Sequence, residues 1–456
     1  MAAGRKDSFF GYWFALRGWV EWVGGWGISR ALFLSLLFIG LLSILSIFIP
    51  NLTSFLTGWL IGTAPVWLPI MLIFAAWGVW MSYIQNLWRS KLDTVLLEIK
   101  LPRDIMKSPR AMEIAITGFH ITSGEITYIQ RHWTGSTRPF FSFEFASFNG
   151  EVHMYVWVWE QYRTVVESQL YAQYPDIELY EVEDYASVYQ FNPETHICFC
   201  TDHAYTPRSD AYPIKTYIDY ELDKDPKEEF KIDPLAQVFE ALSAMKQGES
   251  MWLQIVFWAN ARDKRRKKGA WLRWENRWEN DVKDEVELIR RASATPWMDE
   301  SGIERRGFPN PTWSQREQMQ TMERNLGKLP FDVGIRGVYI ADKKVFSGPA
   351  LNSLRQIWRP FNNPGYLNQL RPTRGMNIFD YPWQDWKRIR WLRVTQRYFD
   401  AYRRRSYLTR PYVGPTQVMT PEILATIFHP PSRTIEAPGL ARISATKAEA
   451  PANLPK

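Results

Sequence analysis

Between Arg30 and Arg89 the chain carries no Asp, Glu, Lys or Arg, although charged residues make up 23% of the whole sequence. Two strongly apolar runs lie inside this gap, Ala31 to Ile49 and Trp67 to Ile84. Each approaches the ~20 residues with which a helix crosses the hydrocarbon core of a bilayer. Between them Pro50, Asn51, Thr53, Gly58, Gly62 and Pro65 supply the breaks of a short, uncharged connection, so the sequence predicts a transmembrane helical hairpin within residues 28–90. Arg5, Lys6, Arg17 and Arg30 flank the first run, and Arg89 and Lys91 follow the second. Basic flanks stay on the cytoplasmic side. The expectation is a multi-pass protein of the cytoplasmic (inner) membrane with both termini inside. Trp59, Trp67, Trp77, Trp80 and Trp88 fall near the predicted span ends or just within them, as interfacial aromatics do.

A secretory signal peptide fits poorly, because its apolar core is about 7–15 residues long and lies nearer the start. A buried core hairpin fits less well than a spanning one, because each run is longer than a core helix needs. Ahead of the first run, residues 1–27 crowd Phe9, Phe10, Trp13, Phe14, Trp19, Trp22 and Trp26 beside a small-residue face of Gly11, Ala15 and Gly18. This segment reads either as an interfacial cytoplasmic element or as an extension of the first span.

The rest of the 456-residue chain is long enough for two or three domains. Two cysteines exclude a disulfide framework and agree with a reducing cytoplasm. A net charge of +7 favours anionic lipid or nucleic acid, though the excess is modest. In residues 94–187, Leu97, Ile99 and Leu101 alternate as a strand, and Ser108-Pro109 opens a helix carrying Met112, Ala115, Ile116 and Phe119. Phe141, Phe143 and Phe145 turn through Asn149-Gly150 into Val152, Met154, Val156 and Val158, a strong hairpin signal. A helix over Tyr162 to Leu170 and a strand over Ile177 to Val182 complete the order βαββαβ, the split βαβ or ferredoxin-like arrangement.

The order recurs over 190–375. Strands are predicted at His196 to Ala204, Ile214 to Tyr220, Trp252 to Trp258, Phe331 to Ile340 and Leu367 to Leu370, with helices from Asp233-Pro234 through Met245 and from Ala350 to Phe361. A charged, helix-forming insertion occupies 261–330 between the central strands. Residues 376–456 read as a basic helix through Arg405 and then a Pro-punctuated, extended tail. The predicted fold class is thus α+β with two amino-terminal transmembrane helices and tandem ferredoxin-like units, the second carrying a helical insertion.

Chemical signatures are few. The chain has no G-x-x-x-x-G-K-[ST] loop, G-x-S-x-G elbow, H-E-x-x-H helix or G-x-G-x-x-G turn after a strand. No catalytic residue, cofactor or metal is expected. His196, Cys198, Cys200 and His203 have metal-ligand chemistry, but their spacing departs from that of structural zinc pairs, and inward packing of free thiols is the favoured reading. An unrecognised enzyme would need Glu144, Asp202, His153 or His203 to converge. Lys264, Arg265, Arg266, Lys267 and Lys268, followed by Trp271, Trp274 and Trp278, suit either anionic lipid or stacked single-stranded nucleic acid, or form a solvated helix start. Lys387, Arg388, Arg390, Arg393 and Arg397, then Arg403 to Arg405, form a second basic stretch interleaved with apolar residues, read either as packing on the second α/β unit or as a contact with membrane or a partner.

Three segments carry a family resemblance: Val166 to Pro175 (VESQLYAQYP) with Glu181 to Tyr185, Pro421 to Pro431 (PEILATIFHPP), and Asn453-Leu454-Pro455. Together they resemble the membrane-anchored, amino-terminal α/β region that precedes, or is encoded separately from, bacterial ATPases of the type IV secretion and conjugation class. In fused relatives the segment resembling PEILATIFHPP leads into the nucleotide-binding domain. The resemblance therefore implies an anchor and platform for a separate cytoplasmic ATPase, and the chain is read as a non-enzymatic scaffold that docks it through the tail and the insertion, with Ile423, Leu424, Ile427, Phe428 and His429 as docking residues and self-association as a further expectation. It transfers no catalytic residues. The alternative is a nucleic-acid or anionic-lipid binding membrane module.

Overall fold

The computed structural model describes residues 35, 37–40, 43 and 51–443, apart from 103–104, 106, 125–126, 225–231, 262–263, 267–273, 299–303, 376–382, 384, 386–387, 433–434, 436–437 and 441. The chain divides into two compact units, Met1–Tyr83 with Met376–Val394, and Ile84–Gly375 with Thr395–Lys456. The protein is of mixed α+β class, with one long apolar helix near the amino terminus and a large, mainly antiparallel sheet.

Helix α1, Leu52–Arg89, runs for 38 residues without interruption. Among the described residues it is the one helix long and apolar enough to cross a membrane, with a mean hydropathy of 1.8. The predicted connection at Thr53 to Pro65 is therefore helical. Pro65 and Pro69 lie inside α1, where each proline removes one backbone donor. The hydroxyls of Thr57 and Thr63 bond back to the carbonyls of Thr53 and Trp59 (both 2.8 Å), and the Trp67 indole donates to the Leu60 carbonyl. Such side-chain bonds help spanning helices tolerate glycine and proline. The break that remains is at Asn51, in the left-handed region at φ 66°. The predicted first span, Ala31 to Ile49, and residues 1–27 lie almost wholly outside the described residues.

The second unit is built on a ten-stranded sheet. In its first half, β1 (Thr94–Pro102) leads through α2 (Pro109–Thr117) to the hairpin β2 (Phe140–Phe148) and β3 (Glu151–Trp159), then through α3 (Arg163–Gln173) to β4 (Glu178–Val182) and the short α4 (Tyr185–Val188). Spatially the strands run β4-β1-β3-β2. The hairpin turns at Asn149 (φ 54°) and Gly150 (φ 93°), the positive angles that favour Asn-Gly at a two-residue turn.

The second half repeats the order. β5 (His196–Thr206), α5 (Leu235–Ser243), β6 (Glu249–Ala259), β11 (Phe331–Asp342), α8 (Gly348–Gln356) and β12 (Gln369–Gly375) give the spatial sequence β12-β5-β11-β6. The halves join where β2 pairs antiparallel with β6. The segment predicted as a strand at Ile214 to Tyr220 forms turns instead, with the Thr216 amide bonded to Asp219 Oδ2. The insertion holds the ribbons β7 (Lys264–Arg266) with β8 (Trp274–Asn276) and β9 (Ala294–Met298) with β10 (Glu304–Pro309), as well as the expected helices α6 (Arg277–Ala292) and α7 (Trp313–Leu326).

Beyond α9 (Ile389–Arg403), the tail expected to be extended forms β13 (Gln417–Met419), α10 (Pro421–Ile427) and β14 (Arg442–Ile443), pairing with β11 and with the far end of β1. The helix-covered face of the sheet holds the main core, including Leu97, Phe141, Phe143, Val156, Leu253, Ile255, Ile335, Met112, Leu170, Leu242 and Leu354, all buried. Each such side chain is worth about 1.5–3 kcal/mol relative to exposure.

Candidate functional site

The other face of the sheet is polar at its centre. Alternation places Glu98 of β1, Tyr155 of β3, Glu144 of β2, Gln254 of β6, Arg336 of β11 and Asp202 of β5 on one face. Strand register sets Glu98 opposite Tyr155, Tyr155 opposite Glu144, Glu144 opposite Gln254, Gln254 opposite Arg336, and Arg336 opposite Asp202. A row of polar side chains thus crosses six strands, and all six are buried. Buried polar groups must find partners inside the protein.

The end of α9 and the segment after it supply partners for Glu144, Gln254 and Arg336. Arg405, 1% exposed, donates from Nε to Glu144 Oε1 (3.0 Å) and from Nη2 to Glu144 Oε2 (3.1 Å) and Asp184 Oδ1 (2.8 Å), and its Nη1 pairs with Asp184 Oδ2. Glu144 also accepts from Ser142 (2.7 Å), Tyr185 (2.7 Å) and Gln254 (3.0 Å), so five donors fill the roughly four lone-pair sites of its carboxylate. Gln254 donates to the Tyr402 carbonyl (3.2 Å), and Arg336 joins Asp202 (3.4 Å) and the Ser406 carbonyl (3.3 Å).

Arg405 occupies a special backbone position. At φ 47° it lies in the left-handed region, with the Ser406 amide bonded to the Ala401 carbonyl (2.9 Å), the closure that ends many helices at a glycine. An arginine here turns its side chain onto the sheet. Burial alone would lower its pKa, but Glu144 and Asp184 more than reverse this and hold the guanidinium charged. Burial, and then the Glu144 carboxylate, push the Tyr185 and Tyr402 hydroxyls far up. Burial would raise Glu98, but hydrogen bonds from His153 (2.6 Å) and Lys100 (2.6 Å) hold it below the usual carboxylate value.

A second charged cluster lies under the PEILATIFHPP segment. Glu422, fully buried, takes Arg324 (2.8 Å) and Lys328 (2.7 Å), and Lys328 also pairs with Glu113 (2.6 Å). Burial would raise the Glu422 pKa; the two cations hold it low. Phe428 stacks on Phe143 (centroids 4.3 Å, planes 6° apart), and His429 Nε2 faces Asp233 Oδ2 at 3.0 Å. Ile423, Leu424, Ile427, Phe428 and His429 are all at most 3% exposed. The expected docking surface is therefore a core surface of the chain itself.

The basic residues lie elsewhere. Lys264, Arg265 and Arg266 form β7, Lys267, Lys268 and Trp271 lie outside the described residues, and Trp274 and Trp278 fall in different elements. Trp274 is exposed in β8, while Trp278 is buried in α6 with its indole on the Asp210 carbonyl (3.1 Å). Arg388 precedes α9, which carries Arg390, Arg393 and Arg397; all four are exposed. The spacing of the last three puts them along one helical stripe. Of the residues an enzyme would have needed, Glu144, Asp202 and His153 share the polar face, each tied to a neighbour. His203 faces the opposite side, opposite Ile335, where burial pushes it down to about 4. Cys198 and Cys200 are buried thiols with sulfurs 3.7 Å apart, and no group of metal-ligand residues able to hold an ion occurs among the described residues.

Sequence reasoning missed Arg405, Tyr402, Gln254, Arg336 and Asp184. The one signal available was a single polar residue at the middle of otherwise apolar strands, as at Gln254 in Trp252 to Trp258. No curated protein and no solved structure matches the chain. A family model matches residues 106–442, a stretch that holds the whole polar row except Glu98, together with Arg405 and Glu422, and ends at the strand that closes on β1. The chain belongs to the family described as a domain of unknown function, DUF8128.

Proposed function

We propose that the chain is a non-enzymatic, membrane-anchored scaffold of a type IV secretion-like or DNA-transfer-like apparatus, on which a separate cytoplasmic ATPase docks. The observation that carries the reading is the junction at the end of α1. Trp88 packs edge-on against Trp159 (centroids 5.2 Å), Arg89 donates to Thr409 (2.7 Å) and to the Arg410 carbonyl, and Gly135 closes on the Ile84 backbone. The last turns of this apolar helix, from Ile84 to Arg89, are thus packed directly on the sheet domain, which suits a part that must hold position under load. In this reading the two halves are tandem ferredoxin-like units joined through β2 and β6, and the Ala31 to Ile49 run supplies the second span, leaving both termini cytoplasmic.

With PEILATIFHPP committed to the core, the ATPase contact falls on the insertion, where Leu288, Phe308 (96% exposed) and Trp313 stand out from α6, β10 and α7. The test is affinity purification from gently solubilised native membranes with mass spectrometry, using the native chain and a Leu288→Ser/Phe308→Ser variant. A type IV-class ATPase recovered with the first and lost with the second supports the reading. No such ATPase in either sample, with nucleic acid or lipid recovered instead, refutes it. That outcome would favour the alternative module, whose contacts would be the exposed stripe of Arg390, Arg393 and Arg397 and the basic β7 ribbon, with binding that weakens steeply with salt.

A further inference from the structure

A loop beside the end of α1 carries an exposed apolar cluster, Tyr128, Ile129 and Trp133. The chain on either side of residues 127–135 is held together: Ser136 donates to the Gly124 carbonyl (2.5 Å), and a side chain at Gly124 (φ 104°) would collide with the Thr137 carbonyl. Inside the loop, Thr127 and Gln130 bond reciprocally (3.2 Å each), opening a wide, π-type helical turn over Gln130–Thr134. Gly135, left-handed at φ 74°, ends that turn with its amide on the Gln130 carbonyl. The loop is thus held in shape by its own bonds. Yet Tyr128, Ile129 and Trp133 are each more than 60% exposed, an arrangement that costs solubility unless something covers it.

The position of the loop identifies what covers it. Gly135 lies so close to the Ile84 carbonyl that a methyl group would not fit. Ile84 precedes Arg89, the first charge after the apolar gap, by about one and a half helical turns, or roughly 7 Å along the axis. The polar interfacial layer of a bilayer is about that thick on each side. The loop is therefore fastened to the helix at the depth of the lipid headgroups, where tryptophan and tyrosine concentrate because one end of each ring is apolar and the other polar. Leu87, exposed on the same final turns of α1, continues the apolar surface.

We infer that residues 127–134 are a second membrane-contacting element, inserting Tyr128, Ile129 and Trp133 into the headgroup layer beside the exit of α1. The inference rests on α1 spanning the membrane. Two contacts at one depth, a spanning helix and an interfacial wedge, would fix the tilt of the sheet domain against the bilayer as well as its distance from it.

The test uses the full chain in lipid nanodiscs with an environment-sensitive fluorophore on an introduced cysteine, labelled in the native state where Cys198 and Cys200 are buried. Ile129→Cys carries the probe under test, Leu72→Cys reports on the span, and Phe308→Cys serves as a solvent control. Nitroxide on the lipid headgroup is expected to quench the label at 129 and not the one at 308. Nitroxide at the end of the acyl chain is expected to quench the label at 72. If 72 is quenched but 129 behaves like 308, the span stands and the inference falls, leaving the cluster to a protein partner. If 72 is not quenched, the spanning reading itself falls.

Discussion

Arg405→Met tests the lock between the carboxyl-terminal segment and the sheet. Arg405 is 1% exposed and Glu144 0%, so removing the guanidinium leaves a carboxylate in the interior with its strongest partner gone. Breaking a buried ion pair from one side costs about 3–5 kcal/mol, a large share of a domain stability of about 5–15 kcal/mol. The loss also takes the guanidinium from beside the Trp157 and Tyr185 rings. Glu144→Gln should cost less, about 1.5–3 kcal/mol for a bond to a charged group, because Asp184 still holds Arg405 and Gln can still accept from Tyr185. The double variant should cost less than the sum of the singles, with a coupling of about 1–3 kcal/mol, since the methionine then faces no bare charge. Urea unfolding of the solubilised chain, followed by tryptophan fluorescence, measures all three. A cost for Arg405→Met below about 1 kcal/mol, in the range of an exposed pair, or strict additivity in the double variant, would refute the lock.

Three further outcomes follow from the same geometry. The Glu422 pKa is held below its unfolded value of about 4.3, so its contribution is fully present above that pH and is lost as pH falls through the lower folded value; Glu422→Gln should reduce stability at neutral pH and remove that part of the acid slope. His203 falls from 6.5 to about 4 on burial, so unfolding takes up a proton between those values. Stability should decline as pH drops through that window, by at most on the order of 3 kcal/mol, and pH titration of His203→Gln should show a flatter profile there. Cys198 and Cys200 are buried, and burial raises the Cys198 thiol well above its ordinary value; thiol reagents monitored by mass spectrometry should modify neither in the native chain and both in urea.

Much of the sheet was legible because strand alternation and turn chemistry are local. Phe141, Phe143 and Phe145 announce one buried face, and Asn149-Gly150 requires the positive angles found there. The polar row was not legible, because each member is a lone polar residue in its own strand and only register brings six of them side by side. Arg405 was hidden for a different reason: it reads as one more charge in a basic run, and its left-handed backbone is visible only once α9 has ended. Gly58, Gly62 and Pro65 misled because they count as breaks by residue type alone, whereas the helix continues through them with the Thr57 and Thr63 hydroxyls bonded back to carbonyls of the preceding turn. The prolines of the tail misled similarly. Pro421 opens a helix as its first residue, which proline favours, and α10 is then buried on the sheet.

The proposal that α1 spans a membrane is decided by its topology. Single cysteines at Asn51, Leu72 and Lys91 would be challenged with a membrane-impermeant maleimide in right-side-out and inverted vesicles. Lys91→Cys should be labelled only in inverted vesicles, Asn51→Cys only in right-side-out ones, and Leu72→Cys in neither. Labelling of Leu72→Cys in both, or of Asn51→Cys and Lys91→Cys from the same side, would contradict the proposal.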